Sequence, residues 1–310
     1  MGIFHYDTES FEKGGCGGVK DIRLRSFMYL PASNRKFIEK AIDCNADAII
    51  LDMEDSVPES RRAEARDNII EYDNNGFLKK RGNVYIRINP IGTKDFVEDI
   101  TRLTLDSVDG FMPSKIDTPD DLVFIDKLLS FFELKKGFET GKYKLTPLIE
   151  TTKAIEYISE IAASSKRLLA LCLGGEDYLN DLGSVYTYQQ SALEYPRSRI
   201  VNAARANGLL PIDTPFLDIN DIEAFLKNET QAYKNGFAGI QVLNPKQIDA
   251  ANRAFSPDEE KVEISRRVIA AVEAARKNGE ASVAMLDGEM VGPPMLKRAM
   301  AVMEQISKNE

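Results

Sequence analysis

From Ser26 onward, short runs of apolar, β-branched and aromatic residues alternate with segments whose apolar positions recur every three or four residues. The short runs are Ser26 to Pro31, Ala48 to Met53, Val84 to Asn89, Gly110 to Lys115, Lys144 to Glu150, Leu168 to Gly174, Leu209 to Phe216 and Gly239 to Asn244. Each is too short for a helix and reads as a strand. The segments between them carry helical stripes, such as Phe37, Ile38, Ala41 and Ile42, or Ile155, Ile158 and Ala162. Strand and helix in regular alternation predict repeated βαβ units and a parallel sheet. Eight strands with no Gly-x-Gly-x-x-Gly fingerprint predict a closed (β/α)8 TIM barrel rather than an open nucleotide-binding sheet.

The rhythm changes after Pro257. Ile264, Val268, Val272 and Ala275 predict a long helix, Ser282 to Pro294 a short hairpin around Asp287-Gly288, and a last helix follows. The expected organisation is therefore an N-terminal flexible arm over residues 1–24, a barrel over 25–256, and a C-terminal helix-hairpin-helix lid over 257–310. Gly14, Gly15, Gly17 and Gly18 around Cys16 do not follow a strand, so they lack the context of a phosphate-binding loop.

Charge and composition narrow the partners. At 310 residues, with 43% hydrophobic and 29% charged residues, the chain can bury a large core. Its net charge of −9 and the absence of a dense basic stripe argue against nucleic acid. No run approaches the ~18 apolar residues of a membrane span. Cys16, Cys44 and Cys172 are odd in number and in no metal-binding spacing, which suits a cytoplasmic protein.

In a barrel of this kind, chemistry gathers where strands end. The polar residues there are Asp52, Glu54 and Asp55 after the second strand, Arg87 and Asn89 after the third, and Lys115 after the fourth. Glu150 follows the fifth, Glu176 and Asp177 the sixth, Asp213 the seventh and Asn244 the eighth. Any one acid could simply cap the next helix. As a group, however, like charges facing one mouth repel unless a cation neutralises them. Carboxylates are hard donors and the sole histidine, His5, lies in the arm, so Mg2+ or Mn2+ is expected rather than zinc. The same lone histidine disfavours a Ser-His-Asp or Cys-His system.

Five stretches then occur in a telling order: Phe27-Met28-Tyr29-Leu30-Pro31-Ala32-Ser33-Asn34, Asp52-Met53-Glu54-Asp55-Ser56-Val57, Arg87-Ile88-Asn89-Pro90, Leu148-Ile149-Glu150-Thr151 and Gly174-Gly175-Glu176-Asp177. With Leu286-Asp287-Gly288-Glu289-Met290 in the tail, they make the chain resemble the citrate lyase beta subunit family, which includes malyl-CoA and citramalyl-CoA lyases. The resemblance runs from Arg25 to the last helix. It implies a magnesium-dependent carbon-carbon lyase that splits a 3-hydroxyacyl-CoA or acyl-carrier thioester into a 2-oxo acid and an acyl thioester. By the same resemblance Glu150 and Asp177 are expected to hold the metal, and Arg87 to meet a substrate carbonyl or carboxylate. Glu54, Asp55, Lys115, Gly175 and Glu176 are expected at the substrate, and Asp287 to transfer a proton in a neighbouring subunit's site, which requires a homo-oligomer such as a trimer or hexamer. Asp287 also stands in the commonest hairpin-turn dipeptide, so a purely structural role is the alternative.

Asn244, Ile240 and Gly292 stand where relatives commonly carry histidine, lysine and aspartate. They leave two other functions open: a metal-dependent aldolase acting on a free 2-oxo acid aldol, and a non-catalytic relative that binds a small acid. A Schiff base through Lys115 is a further variant.

Overall fold

The computed structural model describes residues 22–184, 191–277 and 283–307. The glycine cluster around Cys16, and His5, lie outside these. The chain divides into two compact units, Met1–Asn252 and Arg253–Glu310.

In the first unit, parallel strands follow one another in the order expected of sequential βαβ repeats. They are β1 (Ser26–Pro31), β2 (Ala48–Asp52), β3 (Val84–Ile88), β4 (Gly110–Pro113), β5 (Lys144–Leu145), β6 (Leu148–Ile149), β7 (Ala170–Leu173), β8 (Leu210–Asp213) and β9 (Gly239–Val242). β5 and β6 are two halves of one stave. β5 pairs with β4, β6 pairs with β7, and Thr146-Pro147 joins them. The stave divides where Pro147 supplies no N–H to a ladder, but the backbone bonds continue through it. The Thr146 amide donates to the Phe111 carbonyl at 3.0 Å, and the Cys172 amide to the Pro147 carbonyl at 3.0 Å. With β1 paired to both β2 and β9, the eight staves close into the predicted (β/α)8 barrel.

Side chains alternate along each stave. Phe27, Ala48, Ile50, Tyr85, Met112, Leu148, Cys172 and Ile212 point to one side and pack as a single buried cluster, joined by Leu24 from the entering chain. This fills the barrel's interior. Met28, Ile49, Leu51, Ile86, Phe111, Ile149 and Leu171, the alternate residues, are also buried, as the doubly covered strands of a helix-wrapped barrel require. Ile155, Ile158 and Ala162 are buried as predicted. Phe37 is not: it is 49% exposed, because the stripe of helix Arg35–Ala41 runs through Ile38 and Ala41, and Phe37 lies about 100° round the helix from Ile38.

The second unit contains helix Glu259–Lys277, a hairpin of β10 (Ala284–Leu286) and β11 (Glu289–Val291), and helix Pro293–Ser307. Val268, Val272, Val291, Leu296 and Ala299 form its core. Ile264, expected in the buried stripe, is exposed; Val262 and Ser265 take that face instead. Asp287 and Gly288 both adopt positive φ, 52° and 85°, the conformation a two-residue hairpin loop demands. Among the described residues no helix is long and apolar enough to cross a membrane.

Candidate active site

The alternation that fills the barrel with apolar side chains turns polar at the C-terminal ends of the staves. Asp52 follows Ala48 and Ile50 in the inward phase, Arg87 follows Tyr85, and Glu150 follows Leu148. Asp52 and Arg87 are register partners on adjacent strands. Their side chains meet edge to edge: Arg87 Nε and Nη2 donate to the two Asp52 carboxylate oxygens, each at 2.6 Å. Asp52 also accepts the amides of Glu54 at 2.9 Å and Ser56 at 3.1 Å, which folds the loop after β2 back over the strand end. Burial pushes the Asp52 carboxyl up, but Arg87 and these donors outweigh it and hold it below the usual carboxylate range.

The remaining edge of the guanidinium faces two more acids. Arg87 Nη1 lies 3.1 Å from Asp55 and 3.3 Å from Glu54. Glu54 is 4% exposed, and its Oε1 has no hydrogen bond; Lys115 Nζ approaches it at 3.4 Å. Burial raises the Glu54 carboxyl, with Arg87 and Lys115 offsetting part of the effect. Burial works against the charge on Lys115, yet Glu54 and Asp55 keep its ammonium above the ordinary range. A protonated lysine is a poor Schiff-base nucleophile.

Lys115 adopts a φ of 52°, a left-handed conformation costing a non-glycine residue on the order of 1 kcal/mol or more. This turn aims its amide at Glu150, which accepts it at 2.5 Å. Glu150 is 2% exposed, and its carboxyl is pushed up to about 7 by burial, with the Lys115 amide pulling down and the charges of Glu54 and Asp177 pushing up. Helix Gly175–Leu182 begins directly against it: a Cβ on Gly174 would stand 2.7 Å from Glu150 Oε2, and one on Gly175 2.7 Å from Thr214 Oγ1. Two glycines are therefore needed where this helix starts, and they bring Asp177, in its first turn, towards Glu150.

Asp52, Glu54, Asp55, Arg87, Lys115, Glu150 and Asp177 thus form one electrostatically connected set. Other expected residues are placed differently. The Gly175 amide donates to Thr214 Oγ1 at 2.9 Å, and Glu176 is exposed on the same turn. Asn89 is buried, donating to the Met53 carbonyl and to Asp99. Asp213, out of phase with the inward Ile212, accepts Arg197 Nε at 3.0 Å. Asn244 caps the turn Pro245–Gln247 by accepting the Lys246 amide. In the second unit, both oxygens of Asp287 accept from Arg267 Nη2 at 2.6 Å.

Two carboxylates fit a hard divalent cation of modest denticity. Among the described residues no group of three or more His, Cys, Asp or Glu could hold a metal; carboxylates are hard oxygen donors, of which Mg2+ takes one or two alongside water or substrate oxygens. Burial, with the charges of Glu54 and Asp177 adding to it, raises Glu150, and a cation at that point would favour its ionised form.

The family described as HpcH/HpaI aldolase/citrate lyase matches residues 25–245, from the start of the barrel to just beyond its last strand. The chain belongs to this family. Relatives with assigned activities cover nearly all of it. It is 31% identical to the citrate lyase subunit beta of Haemophilus influenzae over 282 residues, 91% of this chain and 96% of that one. It is 32% identical to an L-malyl-CoA/beta-methylmalyl-CoA lyase of Cereibacter sphaeroides over 301 residues, 91% and 94% of the two chains. Among solved structures, CitE of Mycobacterium tuberculosis in complex with magnesium, acetoacetate and coenzyme A superimposes with a TM-score of 0.75 and 25% identity, covering 93% of this chain and 99% of that one. The mouth described above lies at the C-terminal ends of the strands, the end at which barrels of this kind carry their chemistry.

Asp52 is the residue whose importance composition understated. It reads as one acid among several at a strand end, and only the β2–β3 register makes it the partner of Arg87. Tyr29 and Gln241, inside the barrel near Arg87, were likewise missed. The available signal was a glutamine in the apolar run Gly239-Ile240-Gln241-Val242.

Proposed function

We propose that this protein is a magnesium-dependent carbon-carbon lyase that cleaves a 3-hydroxyacyl-CoA thioester into a 2-oxo acid and an acyl-CoA. The observation that carries the reading is the pair of opposed devices at one mouth: the buried Glu150 carboxyl with Asp177 acting on it, and a rigidly held guanidinium at Arg87. Its support is the family, and the lyases and the magnesium- and coenzyme A-bound structure to which the chain is similar.

Cleavage breaks the bond between the hydroxyl-bearing carbon and the carbon next to the thioester. The hydroxyl loses its proton and becomes a carbonyl, the electron pair of the broken bond passes to the thioester as an enolate, and a proton on carbon completes the acyl thioester. Glu150 and Asp177 would hold Mg2+, which would supply Lewis acidity to the oxo-acid half of the substrate. Arg87 stabilises the enolate oxygen, where charge develops; removing such a donor typically costs about 2.7 to 4 kcal/mol of barrier. Asp52 holds one edge of the guanidinium through Nε and Nη2, so Arg87 is oriented before substrate arrives. Glu54, Asp55 and Lys115 set the charge around the other edge. Gly175 and Glu176 border the oxo-acid half at the start of helix Gly175–Leu182. Asp287, at a hairpin tip, is the proposed proton-transfer residue, reaching another copy's mouth in a trimer or hexamer. The free thiols of Cys44 and Cys172 support a cytoplasmic setting.

The test is turnover of malyl-CoA, citramalyl-CoA and citryl thioesters with Mg2+, following release of the oxo acid. Wild type should cleave at least one, and Glu150→Gln should abolish that cleavage while remaining folded. Cleavage of unesterified aldols alone would replace the reading with a 2-oxo acid aldolase. Binding of an oxo acid without any turnover would replace it with a non-catalytic relative.

A further inference from the structure

Two barrel-interior residues close to Arg87 have no part in the chemistry above. Arg87 Cζ lies over the ring of Tyr29, 5.1 Å from its centroid. The Tyr29 hydroxyl donates to Gln241 Oε1 at 2.8 Å and sits 3.1 Å from Met112 Sδ. Gln241, 1% exposed, spends its amide nitrogen on the carbonyls of Leu173 at 2.9 Å and Asp213 at 3.0 Å, at the ends of β7 and β8. The phenol is thereby tied, through one glutamine, to backbone four and five strands away from β3 in the sheet order. The ring cannot swing without breaking buried hydrogen bonds.

The two restraints on Arg87 are complementary. Asp52 grips the guanidinium in its own plane through Nε and Nη2, and Nη1 meets Asp55 at 3.1 Å and Glu54 at 3.3 Å; with Asp55 exposed, that far edge is the one held less firmly against tilting about the Asp52 edge. An aromatic face beneath the cation opposes the tilt, because its electron-rich surface attracts the charge. Together they direct the Nη1 edge towards the exposed Asp55 and hence to the opening.

We propose that Tyr29, anchored by Gln241, is a positioning residue for Arg87, its ring setting the guanidinium plane so that Nη1 is aimed at the thioester oxygen. This rests on the lyase reading and adds to it a residue that never touches substrate. A leucine would fill the space without supplying the electron-rich face, and a phenylalanine would supply the face without the anchor. The variants therefore separate positioning from packing.

Tyr29→Leu should lower kcat roughly ten- to thirtyfold, the range of a desolvated cation–aromatic contact, with KM for the thioester changed by less than about twofold. Tyr29→Phe should recover most of the loss. A second measurement needs no substrate. The Arg87 Nε–Hε NMR cross-peak, identified by its disappearance in Arg87→Lys, should carry a ring-current displacement in wild type and Tyr29→Phe, and lose it in Tyr29→Leu. A wild type that cleaves no thioester sinks the lyase reading, and the cross-peak then decides positioning alone. Equal kcat in wild type and Tyr29→Leu, equal losses in the Leu and Phe variants, or a cross-peak unmoved by Tyr29→Leu would each overturn the proposal.

Discussion

Two buried arginines, at opposite ends of the barrel, are each surrounded by acids, and they serve different ends. Arg167 lies just before β7, at the N-terminal side. Its Nε meets Asp126 at 2.7 Å, Nη1 and Nη2 meet the two oxygens of Glu133 at 2.6 and 2.7 Å, and Nη2 also reaches Ser130 at 2.8 Å. Glu133 is filled further by the amides of Tyr143 and Gly141. Burial raises both carboxyls, but the arginine and these donors win, holding Asp126 and Glu133 below the usual range. At Arg87 the balance is left open. Asp52 is satisfied, but Glu54 keeps an oxygen without a hydrogen bond, and Glu54 and Glu150 are both pushed up. A network that saturates its polar atoms braces a fold; one that leaves acid in excess at a mouth is prepared for a cation and a substrate.

The sharpest way to break this contrast is Arg167→Met. It strands the buried Glu133 charge and should cost about 3 to 5 kcal/mol of stability in urea unfolding, while the folded fraction keeps its kcat. Loss of kcat in fully folded protein would show that the two ends are not independent. Arg87→Lys is the counterpart: an ammonium cannot span both Asp52 oxygens while reaching the opening, so kcat should drop about a hundred- to a thousandfold, a barrier increase of about 2.7 to 4 kcal/mol. A drop under tenfold would remove Arg87 from the enolate oxygen.

A smaller effect is expected from Gly174→Ala. The added Cβ would stand 2.6 Å from Glu150 Cβ, so relief by displacing the carboxylate should cost roughly 1 to 3 kcal/mol and weaken Mg2+ binding measured by calorimetry. Unchanged binding would mean that Glu150 is not a ligand. The mildest is a pH effect. Because the folded pKa values of Asp126 and Glu133 are depressed, the stability they contribute is complete above the unfolded carboxylate range, about pH 4, and is lost as pH falls further through their folded values. Wild-type stability should therefore decline on acidification below about pH 4, and Asp126→Asn should flatten that decline; an equally steep decline in the variant would discount the network.

Much of the molecule was readable in one dimension. The expected runs coincide with the observed staves to within a few residues, because strands covered on both faces are written in the sequence as short continuous apolar runs. The polar ends of those runs pointed to the mouth for the same reason. Misplacements arose where a neighbour decided the matter. Phe37 and Ile264 are apolar but lie beside, not on, the packed stripe of their helices. Asp213 sits at a strand end like Asp52, but one step out of phase, and so meets Arg197 instead.

By itself the sequence determined the number of staves, their order, the polar rim and the hairpin turn at Asp287-Gly288, all features set by residues close together in the chain. Only the tertiary structure decided which acid grips Arg87, that Glu150 accepts the Lys115 amide, and that Gln241 reaches Tyr29. Those partners lie 35, 35 and 212 positions apart, and their meeting depends on strand register and on closing the sheet on itself, which no local pattern encodes.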